Sequence, residues 1–286
     1  MDPNPRLLSF IAFFIICIGL NLVTSQLTLT DINYIKNSLQ KNQEENGLFG
    51  KSLDNTYRAI YSLKAMGENV EHIPKICREI SFEAMNGLDL NILKIDELLG
   101  CKLTLTKPQE ILEENLANLS LETLYKTVRI AEKTGAKLNW SLLFENLKAF
   151  LTEENLFASV TGHKESSLLS TAHGLHLLTS IHNKITNTTK SEVQDYLVNV
   201  AQALYKQFTL IREDIGIFSE EGVSTIRLNS EFASALAPLR SIVQIENFDG
   251  LLAKVLNYLV TFKYDYTGID SIYYLVKGIY VSTKTI

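Results

Sequence analysis

The sequence predicts an all-α protein of repeated helical hairpins, arranged as an α/α toroid or an open arc, with one short β-hairpin. Three observations carry that expectation. Apolar residues recur at three- and four-residue spacing through most of the chain after residue 25. Only Pro74, Pro108 and Pro238 interrupt that stretch, which suits long helices. One amphipathic helix is also written twice, as "SLDNTYRAIYSLKAMGENV" at 52–70 and "SLETLYKTVRIAEKTGAKL" at 120–138. In register, Ser52, Asp54, Tyr57, Arg58 and Gly67 meet Ser120, Glu122, Tyr125, Lys126 and Gly135. A helical hairpin cannot bury its apolar face alone, so repeated hairpins stack on one another. Weaker echoes stand at "SLLSTAHGLHLL" and "RLNSEFASALAPL". Small residues such as Ala59, Ala131, Ala172 and Gly174 would let the inner helices approach closely.

The elements follow in order. "MDPNPR" carries one arginine and precedes the apolar run "LLSFIAFFIICIGLNLV", with Val23 and Ser25 at signal-peptidase positions. Residues 1–25 read as a secretory signal peptide, and 26–286 as a luminal helical-repeat domain. The alternative is an uncleaved anchor, although the run is shorter than the ~20 residues a spanning helix needs. "TLTDINYIKNSLQ" places Ile32, Ile35 and Leu39 on one face, with Thr30 or Asp31 as cap. The first copy of the repeat ends at Gly67. "VEHIPKICREISFE" starts a helix near Pro74, and "NGLDLNILKIDELLG" gives another, stopped by Gly100. "CKLTLTKPQEILEENLANL" begins extended and turns helical around Pro108, before the second copy of the repeat. "NWSLLFENLKAFL", "SSLLSTAHGLHLLTSIHNKI" and "SEVQDYLVNVAQALYKQFTLI" continue the helical pattern. "GIFSEEGVSTIRL" alternates and predicts the hairpin, near 215–226. "NSEFASALAPLRSIV", "FDGLLAKVLNYLVTF" and "GIDSIYYLVKGIYVS" complete the series. None of these later segments has the length and apolarity of a membrane span.

Composition limits the function. Hydrophobic residues at 46% and charged residues at 21% allow a large core. The net charge of −5 is dispersed, with no basic stripe, which argues against nucleic acid and against an anionic membrane face as partners. In a secreted chain Cys77 and Cys101 fit either one bridge or two separate buried thiols. Asn118, Asn139 and Asn187 each open a glycosylation sequon; Asn187 has the most exposed context, and Asn139 is followed by the bulky Trp140.

Catalytic motifs are missing from the sequence. His173 and His176 stand three apart on a helix, with His163 and His182 nearby, but without the spacing of a zinc-protease helix. No Asp-Asp-x-x-Asp run, thioester motif, nucleophile elbow or phosphate-cradling glycine loop occurs. Glu220 and Glu221 are adjacent and read as solvated. Tyr57 and Tyr125, and the tail tyrosines Tyr264, Tyr266, Tyr273, Tyr274 and Tyr280, read as packing. The expectation is therefore no catalytic residue, no metal and no cofactor. An α/α-toroid enzyme would instead show carboxylates converging on the central cavity around Glu220, and a scaffold would fill that cavity with apolar side chains. A secreted helical-repeat adaptor is a further alternative.

Several segments in sequence order resemble the luminal N-terminal region of the ribophorin II family, a subunit of the oligosaccharyltransferase complex. They are "LTLTDINYIKNSL", "SLDNTYRAIYSLKAMGENV", "LLGCKLTLT", "SLETLYKTV" with "GAKL", and "GIFSEEGVSTI". The resemblance implies a toroid-like helical domain in the lumen of the endoplasmic reticulum, associated with a membrane complex. It implies a Cys77–Cys101 disulfide and a non-catalytic role in N-glycosylation. The implied partners are the catalytic subunit, a ribophorin I-like subunit and small membrane subunits.

Overall fold

A computed structural model describes residues 27–86, 89–103, 120–185, 188–243, 247–261 and 268–284. The described helices are α1 (Leu29–Gln40), α2 (Leu53–Ala65), α3 (Ile73–Asn86), α4 (Leu90–Leu99), α5 (Leu121–Thr134), α6 (Trp140–Lys148), α7 (Leu168–Lys184), α8 (Thr188–Gln207), α9 (Thr225–Leu236), α10 (Phe248–Thr261) and α11 (Ile269–Lys284). A two-stranded antiparallel hairpin, β1 (Thr209–Arg212) and β2 (Ile215–Ile217), separates α8 from α9. The predicted segment around Pro108 lies outside the described residues.

The inner helices close a circuit. α2 packs on α4, α4 on α5, α5 on α7, α7 on α9, α9 on α11, and α11 returns to α2. The outer helices cover this ring: α3 lies on α4, α6 and α8 on α7, and α10 on α9 and α11. The architecture is thus an α/α toroid and not an open arc. Both copies of the duplicated helix, α2 and α5, belong to the inner ring.

Serine caps set the start of three inner helices. Ser52, Ser120 and Ser167 accept hydrogen bonds from the backbone N–H of Asn55, Thr123 and Ser170. Gly135 ends α5 at φ +70°, in the left-handed region that a residue with a Cβ disfavours. The small residues permit close packing, as the spacing suggested. Ala59, Ala131 and Ala172 are fully buried. A Cβ on Gly174 would stand 2.4 Å from the ring of buried Phe157. On α1 the cap is Thr28, and Asp31 completes the capping box by accepting from the Thr28 N–H at 2.7 Å.

A second repeated device precedes inner helices. The backbone N–H of Phe49 donates to Thr56 Oγ1, that of Phe157 to Thr171 Oγ1, and that of Phe218 to Asn229 Oδ1, each at 2.9 Å. All three phenylalanines are fully buried. Phe49 and Phe157 each sit in an isolated antiparallel bridge, to Gln43 and Leu151, and Phe218 directly follows β2. The hairpin is therefore an extended version of a turn used repeatedly. It also lies earlier than 215–226: "FTLI" leaves the α8 helix to form β1, and 218–224 turns directly into α9. Cys77 on α3 is disulfide-bonded to Cys101 just beyond α4, with their Cα atoms 5.3 Å apart. The bridge ties an outer helix to the end of an inner one.

Candidate functional site

The ring encloses a cavity of about 420 Å³ to which all six inner helices contribute. Its lining comes mostly from their first two turns: Asp54, Tyr57 and Arg58 of α2; Leu90, Asn91 and Lys94 of α4, with the capping Asp89 that accepts from the Asn91 N–H; Glu122, Tyr125, Lys126 and Ile130 of α5; His173 of α7; Arg227 and Glu231 of α9; and Tyr273, Tyr274 and Lys277 of α11. The N-terminal ends of several inner helices thus meet around one space, and each adds a partial positive charge. The register-matched residues of the duplicated helix point here. Arg58 pairs with Asp54 at 2.6 Å and with Asp270, and Lys126 pairs with Glu122 at 2.9 Å. Both pairs within a helix have i,i+4 spacing, which brings the two side chains onto one face.

Deeper in the cavity lies a buried ion pair. Lys277 Nζ donates to Glu231 Oε2 at 2.6 Å, with side-chain exposures of 14% and 10%, against 48% for Asp54 and 56% for Lys126. Burial alone would raise the Glu231 carboxyl, but the charges around it, led by Lys277, hold it down to about 2. Burial and Lys277 lower His176 to about 3, so its ring is neutral at pH 7. Ser234 Oγ already donates to the Glu231 carbonyl, so His176 Nε2 donates to Ser234 Oγ across 3.2 Å. His173 is also lowered by burial, and its ring stacks on Tyr125 with centroids 4.7 Å apart. Burial pushes the Tyr57 and Tyr125 hydroxyls well above their ordinary range.

Two cations stand apart from these pairs. Lys94 lies over the Tyr57 ring at 4.5 Å, and burial, with Lys277 nearby, lowers it to about 8. The Arg227 Nε atom is buried without a hydrogen-bond partner. Among the described residues neither side chain forms an ion pair.

The sequence-predicted residues fall unevenly. His173 and His176 are part of the site, whereas His182 is buried towards the end of α7 and His163 is exposed in a loop. Glu220 is not merely solvated: Glu220 Oε2 accepts from the Leu169 N–H at 3.0 Å and so caps α7, while Glu221 is exposed. The cavity matches neither sequence expectation. It is polar and charged rather than apolar, and its buried carboxylate is Glu231 rather than Glu220. Tyr273 and Tyr274 are buried on its wall, Tyr280 is half-buried, and Tyr264 and Tyr266 lie outside the described residues. Glu231 carried a sequence signal that went unread, as the one charge in the run "NSEFASALAPL". Asn139 is exposed and caps α6, accepting from the Leu142 N–H at 3.1 Å. Asn118 and Asn187 lie outside the described residues. Among the described residues no group of His, Cys, Asp or Glu side chains could hold a metal ion, and no helix is long and apolar enough to cross a membrane.

Fold and site together define a helical toroid with a charged, tyrosine-walled centre. The family model of the Ribophorin II N-terminal domain matches residues 27–225, which covers more than half of the chain. The chain belongs to the ribophorin II family. A comparison with curated proteins finds no match to it.

Proposed function

We propose that this chain is a non-catalytic accessory subunit of the oligosaccharyltransferase complex, supporting transfer of the lipid-linked glycan to asparagine in the lumen of the endoplasmic reticulum. The family match over 27–225 carries this reading. In the same reading residues 1–25 are a cleaved signal peptide, the domain acts through contacts with the catalytic and ribophorin I-like subunits and the small membrane subunits, and Asn118, Asn139 and Asn187 are glycan acceptors. The Cys77–Cys101 bridge suits an oxidising lumen.

The test is affinity purification of the tagged subunit from detergent-solubilised endoplasmic reticulum, with mass spectrometry of what accompanies it. Recovery of the catalytic subunit in near-equal amount is expected. A chain that purifies from the reticulum without any transferase subunit would overturn the proposal.

A further inference from the structure

We propose that the central cavity binds a small organic phosphate, a phosphate monoester on a compact polar body. The inference rests on the cavity's charges and does not depend on the role in glycosylation. Arg58, Lys126 and Lys277 each have a carboxylate partner within the site. Lys94 and Arg227 have none among the described residues, and the Arg227 Nε is buried with no acceptor. A buried donor without a partner is disfavoured by the loss of its water, so an acceptor that reaches it is stabilised there. Ligand charge is thus called for at two points.

Placement narrows the ligand. In the ring order α2, α4, α5, α7, α9, α11, Lys94 on α4 and Arg227 on α9 stand on opposite arcs. A tetrahedral phosphate presents oxygens towards both, whereas a planar carboxylate presents its pair to one side. The helix N-termini add positive potential from the same end of the ring. The tyrosine rings give the walls apolar faces with hydroxyl rims, suited to a small polar body rather than a bare ion. A volume of about 420 Å³ is within the range of small-molecule sites. Ion pairing at Glu231–Lys277 fixes the inner wall, so the two unpaired cations remain the ones that meet the ligand.

The experiment is calorimetric titration of the full chain, disulfide intact, at neutral pH and constant ionic strength. The probes are inorganic phosphate, glycerol 1-phosphate, glycerol and acetate. Saturable binding of one glycerol 1-phosphate per chain is expected, tighter than inorganic phosphate, with neither glycerol nor acetate binding. Arg227→Gln and Lys94→Gln should each weaken it on the order of tenfold. Arg227→Lys, which keeps the charge, should retain part of the affinity. Lys36→Gln on α1, which breaks a pair with Glu68 away from the cavity, should leave it unchanged. Unfolding midpoints without ligand establish that each variant is folded. Absence of saturable phosphate binding would overturn the proposal. So would affinity equal to the parent's in both glutamine variants, or acetate binding as tightly as phosphate.

Discussion

Glu231 shows how one residue can be set by its surroundings rather than by its own chemistry. On an isolated helix its carboxyl would titrate near 4.5; beside Lys277 it is held near 2. His176, ordinarily near 6.5, is lowered to about 3 by burial and by the same lysine. In both cases the folded chain binds fewer protons than the unfolded chain over the intervening range, so stability rises with pH there. It is lost through His176 as pH falls from about 6.5 towards 3, and through Glu231 from about 4.5 towards 2. Urea unfolding should therefore have a lower midpoint at mildly acidic pH than at neutral pH. An equal or higher midpoint in acid would contradict the assigned burial. None of this was readable from sequence spacing, because neither Lys277 nor His176 is near Glu231 in the chain. The pairing depends on ring closure, which brings α7, α9 and α11 together.

At the scale of elements, the helices were legible because burial writes a period of 3.6 into the sequence. The serine caps and the stop at Gly135 were legible for a different reason: local hydrogen bonding and backbone conformation select the residue type. The turn before α2, α7 and α9 was not. "GLF" at 47–49, "NLF" at 155–157 and "GIF" at 216–218 lead into the same arrangement, but its hydrogen bonds reach forward to Thr56, Thr171 and Asn229. Thr171→Val keeps the shape and removes the acceptor of the buried Phe157 N–H. This should destabilise the fold by about 1–3 kcal/mol, the range for leaving a buried donor unsatisfied. Denaturant titration measures it, and a valine variant as stable as the parent would show that the hydrogen bond is dispensable.

At the scale of the whole molecule, the duplicated helix has a physical explanation. A ring needs similar hairpins, and each inner helix has a face turned to the ring's centre. The residues shared by the two copies, Asp54 with Glu122, Tyr57 with Tyr125, and Arg58 with Lys126, occupy that central face. Sequence register alone marked them as alike without showing which way they faced, so packing was the simpler reading. Packing still accounts for part of their role, since Tyr57 is only 8% exposed.

The central claim is that this ring supports glycan transfer through its folded presence. It is tested most directly by reporter glycosylation measured against subunit protein level, in cells that depend on this subunit. Tyr57→Ala should destabilise the domain by about 3 kcal/mol, lower the protein level and reduce glycosylation in proportion. Glu221→Gln should leave both unchanged, and Glu231→Gln should reduce transfer only as far as it reduces the amount of folded subunit. A Glu231→Gln chain present at the normal level and folded, in cells where transfer is abolished, would contradict the account and establish the cavity as catalytic.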